Sequence, residues 1–379
     1  MKPFISLCLM ALATTSQVRA QTPQQMLPKQ PFPAWTLTPF VRPEGVNPVI
    51  KPNATSLFAD PVSGKTIKWE ALHTFNPAAV VRNGKIYVLY RAEDDSGEMS
   101  IGGHTSRLGL AESEDGVNFT THPTPVFYPD NDAQKESEWP GGCEDPRITE
   151  AENGTYVLTY TQWNRNRFRI GIATSKDLLT WTKHGQVFQK AFGGKYNTHY
   201  KSSGIVSRVA KGRLIAAKIG GKYWMYWGEG DIHLATSTDL INWTPVEESE
   251  GKLLTLMRAR KGKFDSIFPE VGPPPILTKQ GIVLLYNGKN ARGANAAPNL
   301  GDDAYAAGQA LFDAKDPTKL LDRLQEPFFK PELPFEMRGQ YQGGTTFIEG
   351  LVYFKKKWFL YYGCADSLVG VAVCDKAAS

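Results

Sequence analysis

The chain has 379 residues, 41% hydrophobic and 21% charged, with 43 Lys and Arg against 38 Asp and Glu and a formal charge of +5. That length suits one large all-β domain or two ordinary domains. The charge is close to balanced and no polybasic run stands out, which argues against nucleic acid as a ligand and suits a neutral substrate.

Residues 1–20 read as an export leader: Lys2, the apolar run Phe4–Ala13, and Val18-Arg19-Ala20 before Gln21. The expectation is cleavage after Ala20 and a periplasmic or secreted protein. Cys8 sits within the apolar run without the small residue before it that a lipoprotein cysteine needs, so no membrane anchor is expected. No later run reaches the roughly 18–20 apolar residues that a helical span requires. Without the leader, Cys143, Cys364 and Cys374 remain, enough for one bridge at most, and free buried thiols are expected. Residues 21–46 are rich in Pro and Gln and read as an arm that begins loose and then lies across the domain. Residues 47–379 read as a single catalytic domain.

Within that domain one motif repeats. Ala111-Glu-Ser113-Glu-Asp115 recurs as Ala173-Thr-Ser175-Lys-Asp177 and as Ala235-Thr-Ser237-Thr-Asp239, at intervals of 62 residues. Weaker copies begin at Ala310 and Ala372, again 62 apart. Each copy follows a β-rich run that leaves a turn: Lys85–Arg91 after Asn83-Gly84, Thr155–Tyr160 after Asn153-Gly154, Arg213–Ala217 after Lys211-Gly212, Ile282–Tyr286 after Gln280-Gly281. Trp181 and Trp243 follow two of the copies, and Phe119 holds the same place in the first. The Asp is expected to cap a turn and the aromatic to pack between units. Pro317–Gln325 is the best short helix candidate. Five four-stranded units at this period predict an all-β, five-bladed β-propeller; a β-helix would repeat faster and a sandwich would not repeat at this interval. The longer fourth unit holds its extra residues in Gly288–Tyr305, a loop suited to a binding face.

Residues early in each unit would face a central channel. They are Asn76 and Arg91, then Glu144, Asp145 and Arg147, then Lys201 and Glu229, then Glu270, and finally Asp366. Taken singly, each acid also reads as half of a salt bridge, with Glu144 or Asp145 to Arg147 the local pair. Acids recurring at matched places point to a shared carboxylate site, the equipment for acid/base cleavage of a glycosidic bond. Trp139, Trp163, Trp224, Trp227 and Tyr305 are candidates for stacking on sugar rings. The six histidines show no paired-ligand spacing, and no metal or cofactor is expected. There is no G-x-S-x-G elbow or phosphate-binding glycine loop.

The motifs resemble those of glycoside hydrolase family 130, the β-mannoside phosphorylases and β-mannosidases. The likeness rests on Phe75–Val80 (FNPAAV), Leu89–Asp94 (LYRAED), Gly142–Ile148 (GCEDPRI), Glu270–Ile276 (EVGPPPI), Leu284–Gly288 (LLYNG), Tyr305–Pro317 (YAAGQALFDAKDP) and Tyr361–Asp366 (YYGCAD). The resemblance implies a five-bladed propeller that cleaves β-mannosides with inversion. It implies Asp145 as proton donor, acting through a mannose hydroxyl, and Glu229 with Glu270 as the pair that activates water in the hydrolase branch. Asn76, Arg91, Arg147, Lys201, Tyr305 and Asp366 would hold the terminal mannose of a β-1,2-linked substrate. The competing readings are a phosphorylase, whose phosphate Lys201, Arg147 and His233 would bind, a non-catalytic carbohydrate-binding propeller, and a related arabinoside or fructoside glycosidase.

Overall fold

The computed structural model describes residues 32–378; the leader, its cleavage point and residues 21–31 of the arm lie outside them. The described residues are mostly β, with two four-residue α-helices, Lys135–Glu138 and Pro334–Met337. The strands pair as successive antiparallel meanders. The first is His73–Arg82, Lys85–Glu93, Ser106–Ser113 and Thr120–Thr121. The second is Gly142–Glu150, Tyr156–Trp163, Phe168–Ser175 and Trp181–Gln186. Ser203–Ile205, Lys222–Trp227, His233–Ser237 and Thr244–Pro245 follow. Next, Phe268–Val271 and Ile276–Leu277 both pair with Ile282–Lys289, which leads to Tyr305–Phe312 and Leu320–Arg323. Thr346–Phe354, Lys357–Cys364 and Leu368–Cys374 come last.

The core is divided among these meanders. One cluster joins Leu108 and Leu110 of the first to Ile148 and Leu158 of the second. Another joins Ile170 and Ile172 to Met225 and Trp227, and a third joins Tyr226 and Leu234 to Leu284 and Phe312. A fourth joins Val283 and Leu285 to Leu351 and Leu360. The last meander then returns to the first, where Val352, Phe359 and Tyr361 pack on Val81, Ile86 and Val88.

The repeated motif is a turn. Asp115, Asp177 and Asp239 each accept two backbone N–H bonds from the residues two and three ahead. The Ser of each motif accepts the N–H of Gly116, Leu178 or Leu240. These bonds hold the Asp239 carboxyl down at about 2 against the opposing effect of burial. The aromatics pack backwards onto the preceding meander: Phe119 lies edge-on to Tyr361 at 5.7 Å, and Trp243 is buried among Ile170, Ile172 and Val187.

A second repeat has no counterpart in the sequence reading. Tyr90, Tyr160, Tyr286 and Tyr362 each sit directly across the ladder from a glycine, Gly109, Gly171, Gly308 and Gly370. The ring lies over the glycine, and a Cβ there would come within 2.3–2.6 Å of it. Each hydroxyl donates to a buried carboxylate, Glu70 (2.7 Å), Glu138 (2.6 Å), Asp265 (2.8 Å) or Glu336 (2.7 Å). Each of these acids precedes the meander that holds its tyrosine. Tyr226, opposite Leu234, bonds the Pro317 carbonyl instead.

Pro317–Gln325 is not a helix: Leu320–Arg323 is an edge strand on Ala310–Phe312, and Arg323 is drawn into the buried Asp265 pair, so tertiary pairing overrides local propensity. The arm from Trp35 does lie across the domain. Leu37 exchanges two 2.8 Å bonds with Gln309, Val41 bridges Val373, and Arg42 pairs with Glu336. Cys143, Cys364 and Cys374 are buried and free.

Trp243→Ala is expected to cost about 3–5 kcal/mol in urea unfolding, as buried aromatic truncations do. Asp239→Ala on the exposed turn is expected to cost about 1–2 kcal/mol. The reverse order would show that the turn, not the indole, holds the unit in place.

Candidate active site

The first strands of three meanders are interrupted by bulges. The ladder slips between Phe75 and Pro77, between Glu144 and Arg147, and between Ile348 and Gly350. Asn76 (φ 45°) and Asp145 (φ 48°) occupy two of these bulges in the left-handed region, and Ser202 (φ 62°) and Asp366 (φ 52°) share that conformation. A non-glycine residue there carries strain, and a bulge redirects its side chain out of the strand's alternation. Asn76, Asp145 and Asp366 converge on a cavity of ≈ 320 Å³ that Arg91, Glu144, Lys201, Glu229, Glu270 and Tyr305 also line.

Arg91 is the hub. Its guanidinium lies 2.7 Å from Glu93, 2.8 Å from Glu144 and 3.1 Å from Asp145, with Nε donating to Ser106 Oγ at 3.0 Å. Asn76 Nδ2 donates to Asp145 Oδ1 at 2.9 Å. Burial raises the Asp145 carboxyl, but Arg91, Lys201, Arg147 and the Asn76 bond together hold it below the usual range. Glu144 is pushed up to about 7, chiefly by burial, with Asp145 and Glu93 adding to the effect against Arg91. Two adjacent acids sharing one arginine thus hold their protons with opposite tenacity.

A second pair faces this one. Glu229 and Glu270 form an isolated antiparallel bridge. Lys201 Nζ lies 3.4 Å from Glu229 and 3.9 Å from Glu270. Glu270 is fully buried; Ser202 Oγ donates to its Oε1 at 2.5 Å, and Oε2 has no hydrogen-bond partner among the described residues. Burial pushes Glu270 up to about 7, with Glu229 raising it further and Lys201 opposing. Asp366 rises to about 7 from the same desolvation.

Arg147 is placed differently from the expectation. It is buried beneath the cavity rather than lining it. Its guanidinium donates to the carbonyls of Asp145 (3.0 Å), Val271 (2.8 Å) and Gly272 (3.3 Å) and lies 2.9 Å from Glu349. It therefore fixes the backbone of both acid-bearing strands, and the local pair with Glu144 or Asp145 does not form because Arg91 takes those carboxylates. His233 lies off the cavity, with its ring against Trp227 and Nδ1 on the Leu254 carbonyl. Of the stacking candidates, Trp163 and Tyr305 reach the cavity. Trp227 is core, and Trp224 bonds the Ile219 carbonyl. Three contributors were absent from the sequence reading. Glu349 is a buried acid whose carboxyl is driven well up by desolvation. Lys289 is ringed by Phe268, Tyr305 and Tyr341 at 5.2–5.8 Å, and Tyr341 hydrogen-bonds the Asp303 carbonyl across the 290–304 loop. The one signal in the sequence was the place of Lys289 directly after LLYNG.

Comparison with known proteins matches residues 52–377 to the family model described as beta-1,4-mannooligosaccharide phosphorylase, Glyco_hydro_130. A 1,2-beta-oligomannan phosphorylase from Thermoanaerobacter sp. (strain X514) is 32% identical over 312 residues, 81% of this chain and 92% of that protein. The crystal structure of a glycosyl hydrolase from Bacteroides ovatus is 55% identical, with a TM-score of 0.89 over 92% of this chain and 98% of the other. A structure from work on glycoside hydrolases of this family that target beta-1,2 mannosidic linkages in Candida mannan is 54% identical, with the same TM-score and coverage.

The raised Glu270 carboxyl has a consequence for stability. Between its unperturbed value of 4.5 and about 7, the folded protein keeps a proton that the unfolded chain has released. Stability therefore falls as pH rises through that window. Glu270→Gln lacks this loss, so its stability relative to wild type is expected to rise between pH 5 and pH 8 by on the order of 3 kcal/mol. A pH-independent difference in melting temperature would show that Glu270 ionises as freely as a surface carboxylate.

Proposed function

The chain belongs to glycoside hydrolase family 130, and from that premise we propose that it is an exported, inverting, exo-acting β-mannosidase that hydrolyses β-1,2-linked mannosides. The fold reading that goes with it is a five-bladed β-propeller, supported by the core clusters that join each meander to the next and the last to the first.

The observation that carries the hydrolytic reading is Glu270. One carboxylate oxygen is held by Ser202 and the other has no hydrogen-bond partner among the described residues, with Glu229 across a strand bridge and Lys201 between them. A base held this way can take a proton from water while Glu229 orients the same molecule. The water oxygen then bonds to the anomeric carbon on the face opposite the leaving group. The glycosidic C–O bond breaks, and the leaving oxygen takes a proton from Asp145 through a mannose hydroxyl. Arg91, Lys201 and Asn76 favour the ionised carboxylate in the free protein, so this role requires the bound sugar to raise the Asp145 carboxyl until it holds a proton. The anomeric configuration inverts. Asn76 and Arg91 hold Asp145, and Asp366 and Tyr305, which line the same cavity, would bind the sugar.

Electrostatics favours water over phosphate. Five carboxylates line the cavity, and Arg91 and Lys201 are already engaged by them. Arg147 and His233, which a phosphate site would recruit, lie elsewhere. A phosphate dianion beside Glu229 and Glu270 would meet strong repulsion. The Thermoanaerobacter relative is nonetheless named a phosphorylase, so the two nucleophiles must be compared directly.

Incubation with β-1,2-mannobiose, with and without inorganic phosphate, is expected to release mannose alone at equal rates. Mannose 1-phosphate formed only when phosphate is present would overturn the hydrolytic reading. Asp145→Asn and Glu270→Gln are each expected to lower kcat about 10²–10⁴-fold. Hydrolysis should fall as pH drops below about 7, where Glu270 takes up a proton and ceases to be a base. A rate that is flat from pH 5 to 8 would remove Glu270 from that role.

A further inference from the structure

Two histidines that stand 31 residues apart in the chain meet at the base of the first meander, outside the cavity lining. His73 opens the strand His73–Arg82 and lies directly across the ladder from Glu93, the last residue of Lys85–Glu93. His104 comes in from the loop before Ser106–Ser113, and its ring meets that of His73 edge-on, with centroids 5.7 Å apart. One ring nitrogen of each histidine and one Glu93 oxygen all lie within 4.8 Å of one another. We infer that His73, His104 and Glu93 form a binding site for one divalent transition-metal ion of the zinc class.

The donor set argues for that class. Two imidazoles and one carboxylate suit zinc, cobalt or nickel, whereas magnesium and calcium take oxygen ligands. Three protein ligands with a fourth position open is a known zinc arrangement. Ligand atoms of a tetrahedral ion with bonds of about 2.0–2.2 Å stand roughly 3.4 Å apart, so side-chain rotations must draw the three groups inward from separations of up to 4.8 Å. The hydrogen bonding is otherwise hard to account for. His104 is 3% exposed and its Nδ1 has no partner among the described residues. No hydrogen bond joins either ring to Glu93, although the groups crowd together.

The surroundings resemble an outer ligand shell. Ser367 Oγ lies 3.3 Å from His73 Nδ1 and itself donates to the Ala365 carbonyl, leaving Nε2 of His73 for the ion. Glu93 is oriented by Arg91 at 2.7 Å and by Gln340 Nε2 at 3.0 Å. Such partners fix ligand orientation and sharpen affinity. Each carboxylate oxygen has two lone pairs, so Glu93 can bind an ion without releasing Arg91.

The test uses the full chain, stripped with chelator and titrated with Co²⁺, whose visible absorption reports tetrahedral nitrogen and oxygen ligation, followed by displacement with Zn²⁺. The expected result is saturation at one equivalent and a rise in melting temperature on adding Zn²⁺. His104→Ala and His73→Gln are each expected to weaken binding by at least ~100-fold, beyond what loss of an outer-shell partner costs. His199→Ala, an exposed ring outside the cluster, should bind as wild type does. His73 is only half-buried, so His73→Gln keeps the test valid if His104→Ala fails to fold. Absence of stoichiometric binding by wild type would overturn the assignment. So would equal binding by a folded His73→Gln, or equal loss in His199→Ala.

Discussion

One guanidinium sets the conditions for every acid around it. Arg91 is 7% exposed and faces Glu93, Glu144 and Asp145 within 3.1 Å. It sits on the second strand of one meander, and two of its partners sit on the first strand of the next. Burying that many carboxylates without a cation would push each toward its neutral form. Arg91 opposes burial at both acids; Lys201, Arg147 and the Asn76 bond then keep Asp145 low, while the charges of Asp145 and Glu93 leave Glu144 high. The same ion pairs tie two meanders together at the cavity, so the electrostatics of the cavity and the cohesion of those two meanders depend on one side chain. Removing one member of such a group leaves uncompensated buried charge, which costs far more than the group contributes intact.

Arg147 has a parallel role in the layer beneath. It does not line the cavity, yet it gathers carbonyls from the Asp145 bulge and from Val271 and Gly272, next to Glu270. The two acids assigned opposite tasks are thereby referred to a common buried fork, a geometry that a lysine could not reproduce.

Much of this was legible in the sequence, for identifiable reasons. The turn motif could be read because Ser and Asp satisfy backbone N–H groups at fixed offsets, which forces a local pattern that recurs wherever the turn does. Asn76, Asp145, Glu229 and Glu270 could be read because polar residues beside Gly and Pro interrupt apolar strands. Arg147 was misplaced because adjacency in sequence suggested a partner that the bulge turns away from it. Glu349 was missed because it lies inside an apolar strand with nothing nearby in the chain to mark it. The histidine pair was missed because ligands drawn from three separate segments leave no spacing to detect. The tyrosine, glycine and carboxylate clamps were missed because their members lie 8 to 26 residues apart and meet only across the ladder.

Those clamps divide the molecule into a chassis and its fittings. In four meanders the incoming chain is pinned by a carboxylate to a tyrosine of that same meander, shortly before a residue that lines the cavity in three of them (Glu70 before Asn76, Glu138 before Asp145, Asp265 before Glu270) and before the buried Glu349 in the fourth, where Glu336 is the clamp. Each reactive position is therefore held from upstream by the clamp and from downstream by the strand ladder. A change at the bulge alters what reaches the substrate and leaves both anchors in place. Such a framework can change the side chains that line its cavity through a few substitutions, without refolding the strands that carry them.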